Sequence, residues 1–261
     1  MTERQLKSLP FIQTGSGARA LVFIHGLFDD GGFWRRTIQA LETRYLALVT
    51  LDLPGMGKAA DDPGPFSLDR LARAVTSVVD PVNRPTILVG HSMGAQIAEL
   101  VAVMRPRQIT GLVLLSPVPL GGMALPELRA TAFRSFGGNL KGERERLRST
   151  SYLQAADLAN VAATRATLHP TTVAALFDAW SDGHESGMEP SVVNVPVLII
   201  HGVDDRFVTR DLLTNAILPR FGRARIKSIS NASHWPHLEQ PVATAKAIDG
   251  FLAEIGWSHA R

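Results

Sequence analysis

Short runs of Val, Ile, Leu and Ala recur along the chain, and most are followed by a turn signal and then by apolar residues at helical spacing. Six such runs predict strands: "ALVFIHG" (20–26), "LALVTLDLPG" (46–55), "TILVGHS" (86–92), "ITGLVLLSP" (109–117), "VPVLIIHG" (195–202) and "ARIKSIS" (224–230). Between and after them, helical spacing predicts helices over 33–41, 67–80, 93–104, 210–218 and 241–255. In the second of these, Leu68, Leu71, Val75, Val78 and Val79 share one face, and Ser67 is placed to cap its start. The strand runs are continuously apolar rather than alternating, which means both faces of the sheet are covered. Strand and helix in strict succession mean that the sheet is mostly parallel.

The alternation breaks once. From Pro119 to Pro190 the chain carries helical patterns in 125–136, 150–168 and 171–180 and no convincing strand. The economical organisation is one α/β core, residues 1–118 and 191–261, with a helical cap of residues 119–190 inserted after the fourth parallel strand.

Composition narrows this picture only a little. With 45% hydrophobic and 20% charged residues, the 261-residue chain has ample core material for one domain with an insertion. The net charge is +3, and the densest charged stretch, "KGERERLR" (141–148), alternates acids with bases as a solvated helix face does. Nucleic acid is therefore not an expected partner. No apolar run approaches the roughly 20 residues of a membrane span, and the first residues lack a secretory h-region, so no membrane partner and a cytoplasmic location are expected. The absence of cysteine removes thiolate chemistry and cysteine metal sites.

The chemistry is concentrated at strand ends. "GHSMG" places Ser92 between Gly90 and Gly94, where a strand stops and a helix starts. That is the setting of a nucleophile elbow, a tight strained turn that lifts a serine hydroxyl above the sheet edge. A serine hydroxyl is a weak nucleophile at neutral pH and needs a base, normally a histidine held by a carboxylate. Of the eight histidines, His169, His184 and His259 fall in the insertion or tail, and His25, His91 and His201 end strands. His234, in "NASHWPHLEQP", lies on the loop after the last strand, which opens on the same sheet edge as the elbow. "LIIHGVDDRFV" offers Asp204 and Asp205 just past another strand. The chain order is then Ser, Asp, His.

With these motifs in order, the sequence resembles the α/β-hydrolase superfamily over nearly its whole length. "HGLFDDGGFW" is similar to the family's HG element, "DLPGMGKA" to its D-x-P-G-x-G-x-S element, and "HGVDDRFV" and "SHWPHLEQP" to its acid and histidine segments. The resemblance selects Asp205, three after its glycine, over Asp204. It also implies an oxyanion hole from the backbone N–H groups of Leu27 and Met93. Met56, Ala59 and Ser233 depart from the family pattern, and the short N-terminus implies a reduced or absent first antiparallel strand.

Serine at the elbow argues against epoxide hydrolases and haloalkane dehalogenases, which resemble this chain but use aspartate there. The expected partner is a small-molecule substrate, an ester or lactone with a largely apolar body, and no oligomeric interface is assigned. No metal and no organic cofactor are expected. Candidate pocket residues are Phe28, His91, Phe133, Phe136, Tyr152, Phe177, Trp180, Phe207 and Trp235. Two alternatives stand beside this reading. Trp235 after the histidine and "DDRFV" also resemble hydrolases that split carbon–carbon bonds in vinylogous diketo acids. A catalytically inactive ligand-binding relative of the fold is the other.

Overall fold

The computed structural model describes residues 9–135, 140–150 and 152–257. One sheet holds seven strands: β1 (Phe11–Thr14), β2 (Arg19–Ile24), β3 (Leu46–Leu51), β4 (Thr86–His91), β5 (Ile109–Leu115), β6 (Val197–Gly202) and β7 (Ala224–Ile229). Their order is β1-β3-β2-β4-β5-β6-β7, and every neighbouring pair is parallel except β1 with β3. The helices are α1 (Arg35–Ala40), α2 (Leu68–Val82), α3 (Met93–Met104), α4 (Glu127–Arg134), α5 (Leu140–Thr150), α6 (Ala155–Ala166), α7 (Pro170–Asp182), α8 (Arg210–Leu212), α9 (Pro236–Glu239) and α10 (Pro241–Glu254).

The continuous apolar strands are explained by two separate cores. Side chains alternate across a strand, so Ala20, Val22 and Ile24 of β2 join Leu88, Leu112 and Ile199 beneath α2 and α3. Leu21 and Phe23 point the other way, with Val89, Val113 and Ile200, against Trp34 and the Ile248, Phe251 and Leu252 face of α10. α2 begins as its sequence predicts: the Ser67 hydroxyl accepts from the Arg70 amide at 3.2 Å, and its Leu68, Leu71, Val75, Val78 and Val79 face is buried.

All six expected strands form, and β1 is the addition. It is present but reduced, four exposed residues pairing Phe11 with Leu51 through Thr14 with Leu48. An edge strand that buries neither face leaves no apolar pattern to read. Three helix predictions are corrected. The segment 33–41 starts as a tighter turn, Gly31–Trp34, because Asp30 caps it and Asp52 takes the Gly31 amide at 2.8 Å. The segment 210–218 is regular only over α8, then widens through Leu213–Ile217 and tightens again at Leu218–Arg220. The segment 150–168 is broken, since the Tyr152 amide bonds Glu239 at 2.8 Å instead of continuing a helix.

Between β5 and β6 the described residues contain four α-helices, a short tighter turn at Glu185–Met188, and no strand. α4 packs on α7 and α5 on α6. α6 is tied to the loops beside β2: Asp157 pairs with Arg36, and the Thr164 hydroxyl donates to Asp30 at 3.0 Å. Beneath those contacts Leu158, Val161 and Ala162 pack with Phe33, Trp235 and Leu238.

Candidate active site

Ser92 occupies the turn between β4 and α3, with φ 51° and ψ −116°. This is left-handed backbone that a residue with a side chain adopts only under constraint. The constraint is the close approach of neighbouring chain. A Cβ on Gly94 would lie 2.4 Å from the Ile24 carbonyl oxygen, and one on Gly90 would lie 2.3 Å from that of Gly94. The Ser92 amide donates to Leu115 of β5 at 2.9 Å, so the turn is pinned to the sheet on that side too.

Two more loops converge on this hydroxyl. His234 Nε2 lies 3.1 Å from Ser92 Oγ, and His234 Nδ1 lies 2.9 Å from Asp205 Oδ2. An ionised carboxylate can only accept, so Nδ1 carries the hydrogen and Nε2 presents its lone pair to the serine hydroxyl. The other Asp205 oxygen accepts the amides of Phe207 and Val208, each at 2.9 Å. Burial opposes the Asp205 charge, but His234 and these amides outweigh it and hold the carboxyl below its ordinary value. Asp204 lines the cavity instead. It is exposed and hydrogen-bonded by the Tyr152 hydroxyl, while its amide donates to Ala232 at 2.9 Å and ties the acid loop to the histidine loop.

The histidine is held from behind as well. His91 Nε2 donates to the His234 carbonyl at 2.7 Å. Ser233, a departure from the family's glycine, donates its hydroxyl and its amide to Glu239, both at 2.5 Å. Phe207 and Trp235 flank the His234 ring edge-on, with centroids 5.4 Å and 5.2 Å away. On the far side of the nucleophile, the loop after β2 is set by His25. Its Nε2 accepts the Leu53 amide at 2.9 Å, so its Nδ1 carries the hydrogen and donates to the Gly26 carbonyl at 2.8 Å.

Ser92 and His234 open into a cavity of about 660 Å3 whose lining is mostly apolar. Leu27, Phe28, Tyr152 and Trp235 line it, and Trp180 stacks on Phe133 and Phe207, which tilt toward each other, with all three centroids 5.8–6.0 Å apart. Two expected wall residues do not reach it. His91 is buried behind His234 because its ring is committed to the His234 carbonyl. Phe177 is fully buried behind Phe133 and Trp180, as the inward side of α7. Phe136 lies outside the described residues. Met93 opens α3 directly after Ser92, and Leu27 follows Gly26 in the loop after β2.

Asp29, Arg165 and Glu239 contribute contacts that the sequence does not announce. Asp29 is buried, and burial opposes its charge; the His91 ring and the Arg165 guanidinium outweigh that and hold its carboxyl well below the usual carboxylate range. The only signal was position, since Asp29 stands inside the HG element and Glu239 five residues after His234. Among the described residues no three His, Cys, Asp or Glu side chains gather as a metal site would require. No helix among them is long and apolar enough to cross a membrane.

The alpha/beta hydrolase family matches residues 21–247, and the chain belongs to it. It is 27% identical over 252 residues to a pimeloyl-[acyl-carrier protein] methyl ester esterase of Edwardsiella ictaluri, spanning 91% of this chain and 94% of that one. It is 26% identical over 259 residues to a 2-hydroxy-6-oxononadienedioate/2-hydroxy-6-oxononatrienedioate hydrolase of Cupriavidus pinatubonensis, spanning 92% and 88%. A further relative matches over only 30% of its own length. Among solved structures, a thermophilic esterase from Thermogutta terrifontis superposes with a TM-score of 0.78 at 20% identity, over 95% of this chain and 93% of that one, a likeness of fold.

Proposed function

We propose that this chain is a serine hydrolase that cleaves a carboxylic ester or lactone of a largely apolar small molecule through an acyl-enzyme. The observation that carries the proposal is the hydrogen-bonded row Asp205–His234–Ser92 ending at an apolar cavity. Ser92 Oγ attacks the carbonyl carbon and passes its proton to His234 Nε2. Asp205 keeps the ring oriented and stabilises the imidazolium. The oxyanion is received by the amides of Met93 and Leu27, each worth about 3–4 kcal/mol in the transition state where such donors have been removed elsewhere. His234 then gives its proton to the departing alkoxide. A water attacks the acyl-enzyme with His234 again as base, and the acid leaves.

The helices α4–α7 serve as a lid. Phe133, Tyr152 and Trp180 of that segment supply the roof over Ser92, which suits an apolar body and excludes water from the developing charge. The esterase relative from E. ictaluri supports this chemistry. Carbon–carbon hydrolysis is the second reading, favoured by the name of the C. pinatubonensis relative. A panel of p-nitrophenyl esters from acetate to dodecanoate, run beside a lactone and a vinylogous diketo acid, separates the two. Ester or lactone turnover is expected; efficient diketo-acid cleavage with no ester turnover overturns the proposal.

A further inference from the structure

Asp29 and Arg165 stand where both loops of the site meet the helical insertion. Asp29 follows Leu27 and Phe28 after β2 and is 1% exposed, while Arg165, in the last turn of α6, is 5% exposed. The Arg165 guanidinium donates to Asp29 Oδ1 at 3.1 Å, reaches the Leu27 carbonyl at 3.5 Å and lies over the Trp235 ring at 5.3 Å. The Trp235 indole N–H donates to Asp29 Oδ2 at 3.2 Å, and His91 Nδ1 lies 3.5 Å from the same oxygen. One carboxylate therefore binds both the residue after His234 and α6, beside the end of the nucleophile's strand.

Stability does not account for this arrangement. A buried ion pair gains little over well-packed apolar residues, because two charges must first leave water. Its geometry is what an apolar replacement would lack. Phe28, between the Leu27 amide and Asp29, is held at φ 64°, a strained position that persists only when its surroundings fix it. The loop has an anchor on each side of that strain: the Phe28 amide donates to Met56 Sδ at 3.2 Å, and Asp29 is gripped by Arg165 and Trp235. Arg165 lines the cavity, and its Nη2 is bonded to the protein's own carboxylate and carbonyl.

We infer that Arg165 and Asp29 are positioning residues: the docking of α6 on Asp29 aims the Leu27 amide and seats the His234–Trp235 segment. The inference rests on the serine-hydrolase reading, and the experiment separates the two. Wild-type turnover of p-nitrophenyl butyrate, with fluorophosphonate labelling of Ser92, tests the reading. The variants Arg165→Met, Arg165→Lys, Asp29→Asn and the double variant Arg165→Met/Asp29→Asn, each compared with wild type, test the inference.

A misaimed donor costs rate rather than binding, so Arg165→Met and Asp29→Asn should each lower kcat about 30- to 100-fold with KM within about 3-fold. The double variant should be no slower than the slower single one, since both remove one device, and Arg165→Lys should recover part of the loss. Raised KM with unchanged kcat would make Arg165 a substrate contact and overturn the inference. So would losses that multiply in the double variant. Amide hydrogen exchange provides a readout independent of turnover, and it covers the case where Arg165→Met is merely less stable. Faster exchange confined to residues 26–30 and 233–235 supports the coupling; exchange raised equally in β4, or unchanged everywhere, contradicts it.

Discussion

The two sides of this cavity are built by different physics. The floor stands on strand ends: Ser92, Asp205 and His234 leave β4, β6 and β7 at the same edge, and their loops are pinned by backbone hydrogen bonds such as Ser92 to Leu115 and Asp204 to Ala232. The roof stands on helices whose places are set by side chains: the Arg165–Asp29 pair, the Thr164–Asp30 bond and a stack of aromatic rings. The floor's register is held by the parallel ladder, while the roof depends on a few individual contacts. Floor substitutions should therefore destroy chemistry with the fold intact, and roof substitutions should change selectivity and stability together.

The largest effects belong to the floor. His234→Ala should remove nearly all turnover. Asp205→Asn should lower kcat by about four orders of magnitude, because the amide no longer fixes the tautomer that offers Nε2 to Ser92. Asp204→Asn, its exposed neighbour, should stay within about 3-fold of wild type, since its partner is Tyr152 and not the histidine. Steady-state kinetics on one ester checks all three, and equal losses at the two aspartates would erase the distinction between them.

Roof substitutions come next. Trp180 is 2% exposed and stacks on Phe133 and Phe207, so Trp180→Ala should cost about 3–5 kcal/mol in chemical denaturation. It should also shift the preferred acyl chain toward longer esters by enlarging the cavity. A stable variant with an unchanged chain-length profile would show that the roof does not shape selectivity.

A smaller effect links the two sides through pH. Burial, with the neighbouring His91 ring against it as well, pushes His237 well below the ordinary histidine range; its ring stacks on Trp34 at 4.4 Å. The folded state thus keeps His237 neutral where the unfolded chain takes up a proton. Its contribution should be full above about pH 6.5 and fall by about 1.4 kcal/mol per pH unit below it, until the folded-state value is reached; buried His91 and His201, also held low, add to the slope in the same direction. Asp205 acts over a separate, more acidic range: held below 3.8, it loses its contribution only in stronger acid. His237→Phe should lessen the slope of the Tm profile between pH 7 and about 5, leaving the part due to His91 and His201. A profile of unchanged slope would show that His237 does not set this dependence. Smallest of all, Arg134→Gln at the exposed pair with Asp178 should alter stability by less than about 1 kcal/mol.

The same contrast explains what is legible in the sequence alone. Continuous apolar runs and turn signals locate every parallel strand, because burial on both faces writes itself into composition. Ser92 is legible because the elbow needs glycine on both sides, and His234 because it follows the last strand. Asp205 is legible only as one of a pair, since a count of residues from Gly202, not physics, selects it over Asp204. The roof is not legible. Phe177 and Trp180 lie three apart on α7, both are buried, and yet only Trp180 meets the cavity. Asp29 and Arg165 are far apart in sequence, and nothing local in either segment records the partner.

The most direct test of the central proposal is covalent labelling of the nucleophile. Treated with a fluorophosphonate, the wild-type chain should gain one adduct, mapped by peptide mass to Ser92, and Ser92→Ala should gain none and hydrolyse no ester. Labelling that persists in Ser92→Ala, or full ester turnover by wild type whose Ser92 has been labelled, would contradict it.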